Sequence, residues 1–157
     1  MEWLQRLHGT LVLAQTAVGS KIKQLSDDHL WKFRGLFELS WLFNMVGNCT
    51  EQKKLLTQAL KLWRERGDDY WVAGALNSLA SANRFLGLYE EGIQQAREAL
   101  SSFERLGNKM EEVACLVDLA HLLMDNKQLD EAEETIIRSI NLLKEGPEFL
   151  LCKSYSW

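Results

Sequence analysis

Apolar residues recur along this chain with the spacing of helix faces. Leu36, Leu39 and Phe43, then Leu76 and Leu79, then Leu116, Leu119 and Leu123 fall three or four positions apart, which places each set on one side of a helix. A second family of columns follows downstream: Leu56, Ala96 and Ile136; Leu60, Leu100 and Ile140; Trp63, Phe103 and Leu143. Each first set runs into a breaker, Gly47-Asn48, Gly87-Leu88 or Asn126-Lys127, where Gly or Asn can take the left-handed conformation that closes a helix. Second helices are predicted to start near Thr50, Glu90 and Asp130, the last with Glu133 at capping-box spacing. The pattern therefore predicts a helix, a tight turn and a second helix, three times over.

The triplication is a true repeat. At a shift of 40, Asp28, Asp68 and Asn108 share a column, as do Gly47 and Gly87, Gly67 and Gly107, and Trp31 and Trp71. The frame reads 28–67, 68–107 and 108–147. Small residues keep the same register: Gly35, Ala75, Cys115; Ser40, Ala80, Ala120; Ala59, Ala99, Ser139. Helices that cross closely need small side chains at the crossing point, so these columns mark packing. Upstream, residues 1–27 keep helical spacing through Leu4, Leu7, Leu11, Ala14, Val18, Ile22 and Leu25, and read as an N-terminal packing helix or degenerate half-repeat. Residues 148–157 occupy the register of a further first helix or cap, and carry Phe149, Leu150, Leu151, Tyr155 and Trp157. A solenoid end normally carries a polar cap, so this edge is expected to continue into a longer array, or to be covered by a partner or a second copy.

The string Ala75-Leu76-Asn77-Ser78-Leu79-Ala80, followed by Leu86-Gly87-Leu88-Tyr89-Glu90-Glu91-Gly92 and by Ala96 and Ala99, resembles a tetratricopeptide repeat. Leu119-Ala120, Leu129-Asp130-Glu131-Ala132 and Ile136 resemble it again. The usual period is about 34; the extra residues fall in 103–108. This longer variety is similar to repeats of kinesin light chains, of adaptors that bind G-protein regulators at the spindle, and of sensor arms in bacterial and fungal nucleotide-switch proteins. The first unit departs from the pattern, with Cys49 in place of Tyr89 and Gln52 in a small-residue column.

The resemblance implies an all-α, right-handed superhelical solenoid of antiparallel helix pairs, whose first helices line a concave face that clasps an extended peptide or a helix. The non-core columns of those helices are Arg34, Gly74, Ala114; Phe37, Asn77, Val117; Trp41, Ser81, His121; and Asn44, Arg84, Met124. From them Asn77, Arg84, Ser81, Trp41, Phe37, Asn44, Arg34 and His121 form the expected partner-binding set. Asn77 could both donate to and accept from a peptide backbone. Arg84 could fork onto a ligand carboxylate, and Trp41 and Phe37 could give an apolar anchor or pack against the N-terminal helix.

Composition narrows the function. The chain is 46% hydrophobic and 25% charged, with a net charge of -4 and a single Pro, a helical globular composition without the basic surplus that nucleic acid or anionic membrane requires. Cys49, Cys115 and Cys152 form no close pair, which fits reduced thiols and a cytoplasmic location. The longest apolar runs are far too short for a bilayer. No GxxxxGK loop, HExxH or paired CxxC is present, and His8, His29 and His121 are scattered, so neither catalysis, cofactor nor metal is expected. A non-enzymatic module that binds a protein or peptide partner is the expectation. The alternatives are self-assembly through the C-terminal edge as a homo-oligomer, and a sensor-arm fragment of a larger nucleotide-switched protein.

Overall fold

The computed structural model describes residue 36 and residues 39–145. Six helices lie among them: α1 (39–45), α2 (Cys49–Arg66), α3 (Asp69–Phe85), α4 (Tyr89–Leu106), α5 (Lys109–Asp125) and α6 (Leu129–Glu145). No strand occurs among the described residues. The chain divides into two compact units, Met1–Asp68 and Asp69–Trp157.

The turns explain the regularity. Gly47, Gly67, Gly87, Gly107 and Lys127 all have positive φ, and they stand twenty residues apart. Each closes its helix with the same two bonds: at the third of them the Gly87 amide donates to the Arg84 carbonyl and the Leu88 amide to the Asn83 carbonyl, the paired closure of a Schellman motif. Asn126 instead has a φ of -83. The left-handed residue of the last turn is therefore Lys127, not the Asn expected from sequence, because the motif counts positions from the helix end whatever residue stands there. Asp130 likewise lies inside the first turn of α6, which starts at Leu129, so it caps nothing and instead sets negative charge near the helix N-terminus. The Asn48 and Asn108 side chains do cap, accepting from the Glu51 and Glu111 amides.

In the first unit, α1 and α2 are joined by the turn at Gly47. Leu36, Leu39 and Ser40 are buried, as are Leu56, Ala59, Leu60 and Trp63 of α2. Gln52 is also buried, and its Oε1 has no hydrogen-bond partner among the described residues; it stands in the column that Gly92 and Ala132 fill with small side chains.

The second unit stacks two hairpins, α3 with α4 and α5 with α6. Its core is built from the expected columns: Ala75, Leu76, Leu79 and Ala80; Ile93, Ala96, Ala99, Leu100 and Phe103; Cys115, Leu116, Leu119, Ala120 and Leu123. The tightest point is Gly92 on α4. A Cβ there would lie 2.7 Å from Leu122 Cδ2 of α5 and 3.1 Å from the Ala80 carbonyl oxygen of α3, so three helices converge on one missing side chain. Leu122 is fully buried and has little room to retreat. The 103–106 stretch forms the last turn of α4, which is 18 residues long beside the 17 of α3.

Four polar side chains are buried among this core, Asn83, Glu112, Thr135 and Ser139. Asn83 stands in the column of Phe43 and Leu123, is buried, and donates to Gln95 Oε1 at 2.8 Å. Glu112 is buried against Lys109, whose Nζ reaches both carboxylate oxygens at 3.2 and 3.1 Å.

Two glycines of the second unit should respond oppositely to alanine. Gly92→Ala is expected to lose about 1–2 kcal/mol, overpacking outweighing the better helix propensity. Gly74→Ala, with nothing within 4 Å of the added carbon, is expected to gain about 0.5–1 kcal/mol. Urea denaturation of the two variants checks both signs. Lys127→Gly relieves a left-handed non-glycine residue and is expected to gain about 0.5–1 kcal/mol after the greater chain entropy of glycine is subtracted, read from the same titrations.

Candidate protein-interaction face

Helices α3 and α5, the first helices of their hairpins, run side by side, joined by a ladder of polar pairs. Tyr70 Oη donates to Glu111 Oε1 at 3.2 Å, Asn77 Nδ2 to Asp118 Oδ2 at 2.8 Å, and Arg84 Nε to Asp125 Oδ2 at 2.6 Å. Donors and acceptors each recur every seventh residue, two helical turns, and every pair spans 41 residues. Because α3 and α5 are both 17 residues long and begin at equivalent positions, one matched pair brings the others into register.

The rungs form a floor. Along one side, Gly74 and Ser81 follow each other two turns apart on α3, both half-exposed; along the other, Ala114 and His121 do the same on α5, both exposed. A helix face turned to bulk water usually carries Lys and Glu. Here α3 has no charged residue between Asp69 and Arg84, and α5 has only Asp118 as a full charge between Glu112 and Asp125. The second helices differ sharply. Over the same length α4 carries Glu90, Glu91, Arg97, Glu98, Glu104 and Arg105, and its Arg97 and Glu104 pair with Glu131 and Arg138 of α6.

Burial perturbs the acids and thiol on this floor. Asp118 is pushed above the usual carboxylate range by loss of water, against which the Asn77 hydrogen bond and the charges of His121 and Arg84 pull only part of the way back. The Oδ1 of Asn77 is buried and lacks a partner among the described residues. Tyr70 is raised above the usual phenol value by burial and by neighbouring Glu111. Cys115 is pushed up to about 12 by burial and by the charges of Asp118 and Glu111, which leaves it a protonated, unreactive filler. No group of three His, Cys, Asp or Glu able to hold a metal ion occurs among the described residues.

Of the residues singled out from sequence, Asn77, Ser81, Arg84 and His121 come together on this face. Asn77 and Arg84 are already engaged by α5, so a ligand would meet them as parts of a rung rather than as free donors. Arg84 keeps 30% of its side chain exposed and lies 5.7 Å from the Phe85 ring centroid. Trp41, 54% exposed, and Asn44, also exposed, belong to α1 in the first unit. Arg34 and Phe37 lie outside the described residues. Asp118 and Asp125 were missed as partners, although an acid 41 positions after each donor was visible in the repeat register.

No family model matches the sequence, and no curated protein sequence matches it either. Solved structures do match. BtubC (BKLC) from P. vanneervenii superposes with a TM-score of 0.79 at 21% identity, over 92% of this chain and 60% of that one. The nearly identical TPR-like repeats of a Podosopora anserina protein described as a kinesin light chain superpose with a TM-score of 0.51 at 13% identity, over 92% of this chain and 93% of that one. The fold is a tetratricopeptide-type one. Within it the α3/α5 face is the pair of adjacent first helices of two successive repeats, and α4 and α6 are their second helices. The chain spans about 60% of the length of BtubC, and these likenesses concern fold alone. No helix among the described residues is long and apolar enough to cross a membrane.

The raised Asp118 gives a signed expectation. A carboxyl group whose folded value lies above its unfolded one contributes stability fully below the unfolded value, and loses it as pH rises through the folded value. At neutral pH the ionised Asp118 therefore costs stability. Asp118→Asn, which keeps the shape and offers an amide to Asn77 Oδ1, is expected to melt at or above the natural chain at about pH 7. That advantage should shrink as the pH is lowered and the natural carboxyl takes up its proton, as thermal melts at successively lower pH would show.

Proposed function

We propose that the chain is a protein-interaction scaffold that takes a peptide or protein segment along the face of α3 and α5. The observation that carries this reading is the contrast between the helices. Two hairpins of the same fold place charge-paired side chains on α4 and α6, but carry small or weakly polar residues beside the polar ladder of α3 and α5, at Gly74, Ser81, Ala114 and His121. Small side chains leave room for a partner's backbone, and a face poor in charge costs little to desolvate on binding.

The floor supplies the polarity. The Asp118 carboxylate, with more lone pairs than Asn77 uses, can accept from a partner amide, and Arg84 and His121 can donate. A rigid, preorganised surface offered to a flexible segment keeps the ordering cost on one side of the interface. Trp41 and Asn44, exposed on α1, are proposed as contact positions of the first unit taken by itself.

Selection of displayed random peptides against the natural chain tests this. Peptides so enriched are expected to lose at least tenfold in affinity, about 1.4 kcal/mol, to Ser81→Arg and to Ala114→Arg, which fill the trough from either side. They are expected to keep their affinity for Gln94→Arg, on an exposed position of α4. Peptides indifferent to both trough variants would sink the proposal.

A further inference from the structure

The charges of α3 and α5 do not balance. The two helices carry five acids, Asp69, Glu111, Glu112, Asp118 and Asp125, and two bases, Arg84 and Lys109. Both bases are already committed, Arg84 to Asp125 and Lys109 to Glu112, and Asp69 has Arg105 of α4 at 3.6 Å. Glu111 and Asp118 form no ion pair among the described residues and are left with neutral donors, the Tyr70 hydroxyl and the Asn77 amide.

A fully solvated carboxylate needs no cation, but Asp118 is half-buried, and loss of water already pushes its carboxyl up. Beside it the buried Oδ1 of Asn77 accepts from nothing among the described residues, so this rung has acceptors in excess. Taking a carboxylate further out of water is costly unless an opposite charge comes with it. A partner that covers the rung therefore has to bring that charge.

The floor has room for it. Glu111 and Asp118 stand seven residues apart, about 10 Å along the axis of α5, with the exposed Ala114 between them. Gly74 holds the equivalent place on α3, where an added Cβ would meet nothing within 4 Å. Lys and Arg have apolar stems that can lie along small residues while the charged head reaches beyond, and a charge-assisted hydrogen bond is roughly twice as strong as a neutral one. Arg84, expected from sequence to fork onto a ligand carboxylate, already has its charge matched by Asp125, so the face as a whole favours a cation over an anion.

We propose that the segment taken by the α3/α5 face is a basic one, with a Lys or Arg side chain that enters over Ala114 and sets its positive head against Asp118 and Glu111. This rests on the docking reading of the same face and adds the chemistry of its partner.

Displayed random peptides are selected in parallel against the natural chain, Asp118→Asn and Asp130→Asn, the last removing an equal charge from the exposed start of α6. Peptides from the natural chain and from Asp130→Asn are expected to be enriched in Lys and Arg over the starting library, and those from Asp118→Asn to lose much of that enrichment. In a peptide enriched on the natural chain, replacing its basic residue by norleucine should cost about tenfold in affinity for the natural chain and about threefold or less for Asp118→Asn, the coupling expected of groups in contact. Peptides that lose affinity to Ser81→Arg and Ala114→Arg, yet show no basic enrichment or bind Asp118→Asn as tightly as the natural chain, would overturn this proposal and leave the docking reading standing. Peptides indifferent to those two trough variants would overturn both. Asp118→Asn keeps the shape of the side chain, and helical circular dichroism matching that of the natural chain verifies its folding.

Discussion

Everything in this structure depends on stopping a helix at the right residue. The left-handed positions at Gly67, Gly87, Gly107 and Lys127 hold α2, α3, α4 and α5 to 17 or 18 residues. Equal lengths keep successive hairpins in step. Only then can side chains 41 residues apart meet at Tyr70 and Glu111, Asn77 and Asp118, and Arg84 and Asp125, and only then does the missing side chain of Gly92 fall where Leu122 and the Ala80 carbonyl converge. A residue inserted within α3 would rotate everything after it by about 100° and turn the later partners of the ladder away from α5.

That register also separates the work of the two kinds of helix. α4 and α6 meet solvent with charged side chains, two of which on each pair across the repeat; such exposed pairs contribute little stability, typically under about 1 kcal/mol each, but keep the surface hydrated. α3 and α5 spend polar side chains on each other and carry small residues, Gly74, Ser81 and Ala114, beside that ladder. Ionising Asp118 in this half-buried ladder opposes stability.

Much of the fold was legible because it is written in repeats. The columns of Leu76 and Leu116, of Leu56 and Ala96, of Leu60 and Leu100, and of Trp63 and Phe103 identified helix faces that the structure buries, whereas the third-repeat members of the last three columns, Ile136, Ile140 and Leu143, stay exposed. What escaped was whatever depended on neighbours across the repeat rather than along the helix. Asn83 reads as an ordinary polar residue, yet it is buried in a leucine column because Gln95 is there to accept from it. Glu112 reads as a surface acid but is covered, with the Lys109 ammonium reaching it from solvent. Asn77 and Arg84 were chosen as free donors from their columns; which way they point follows from the approach of α5, and no single helix encodes that. Asn126 seemed the natural left-handed residue, but the closing hydrogen bonds place that conformation on Lys127.

The most direct measurement is the amide NMR spectrum of the natural chain titrated with a peptide selected for binding to it. Shift changes gathered at Gly74, Ser81, Ala114 and His121, with the amides of α4 and α6 unmoved, are the expected result. Changes gathered instead on the outer positions of α4 and α6, with those four residues silent, would contradict the assignment of the first-helix face as the partner site.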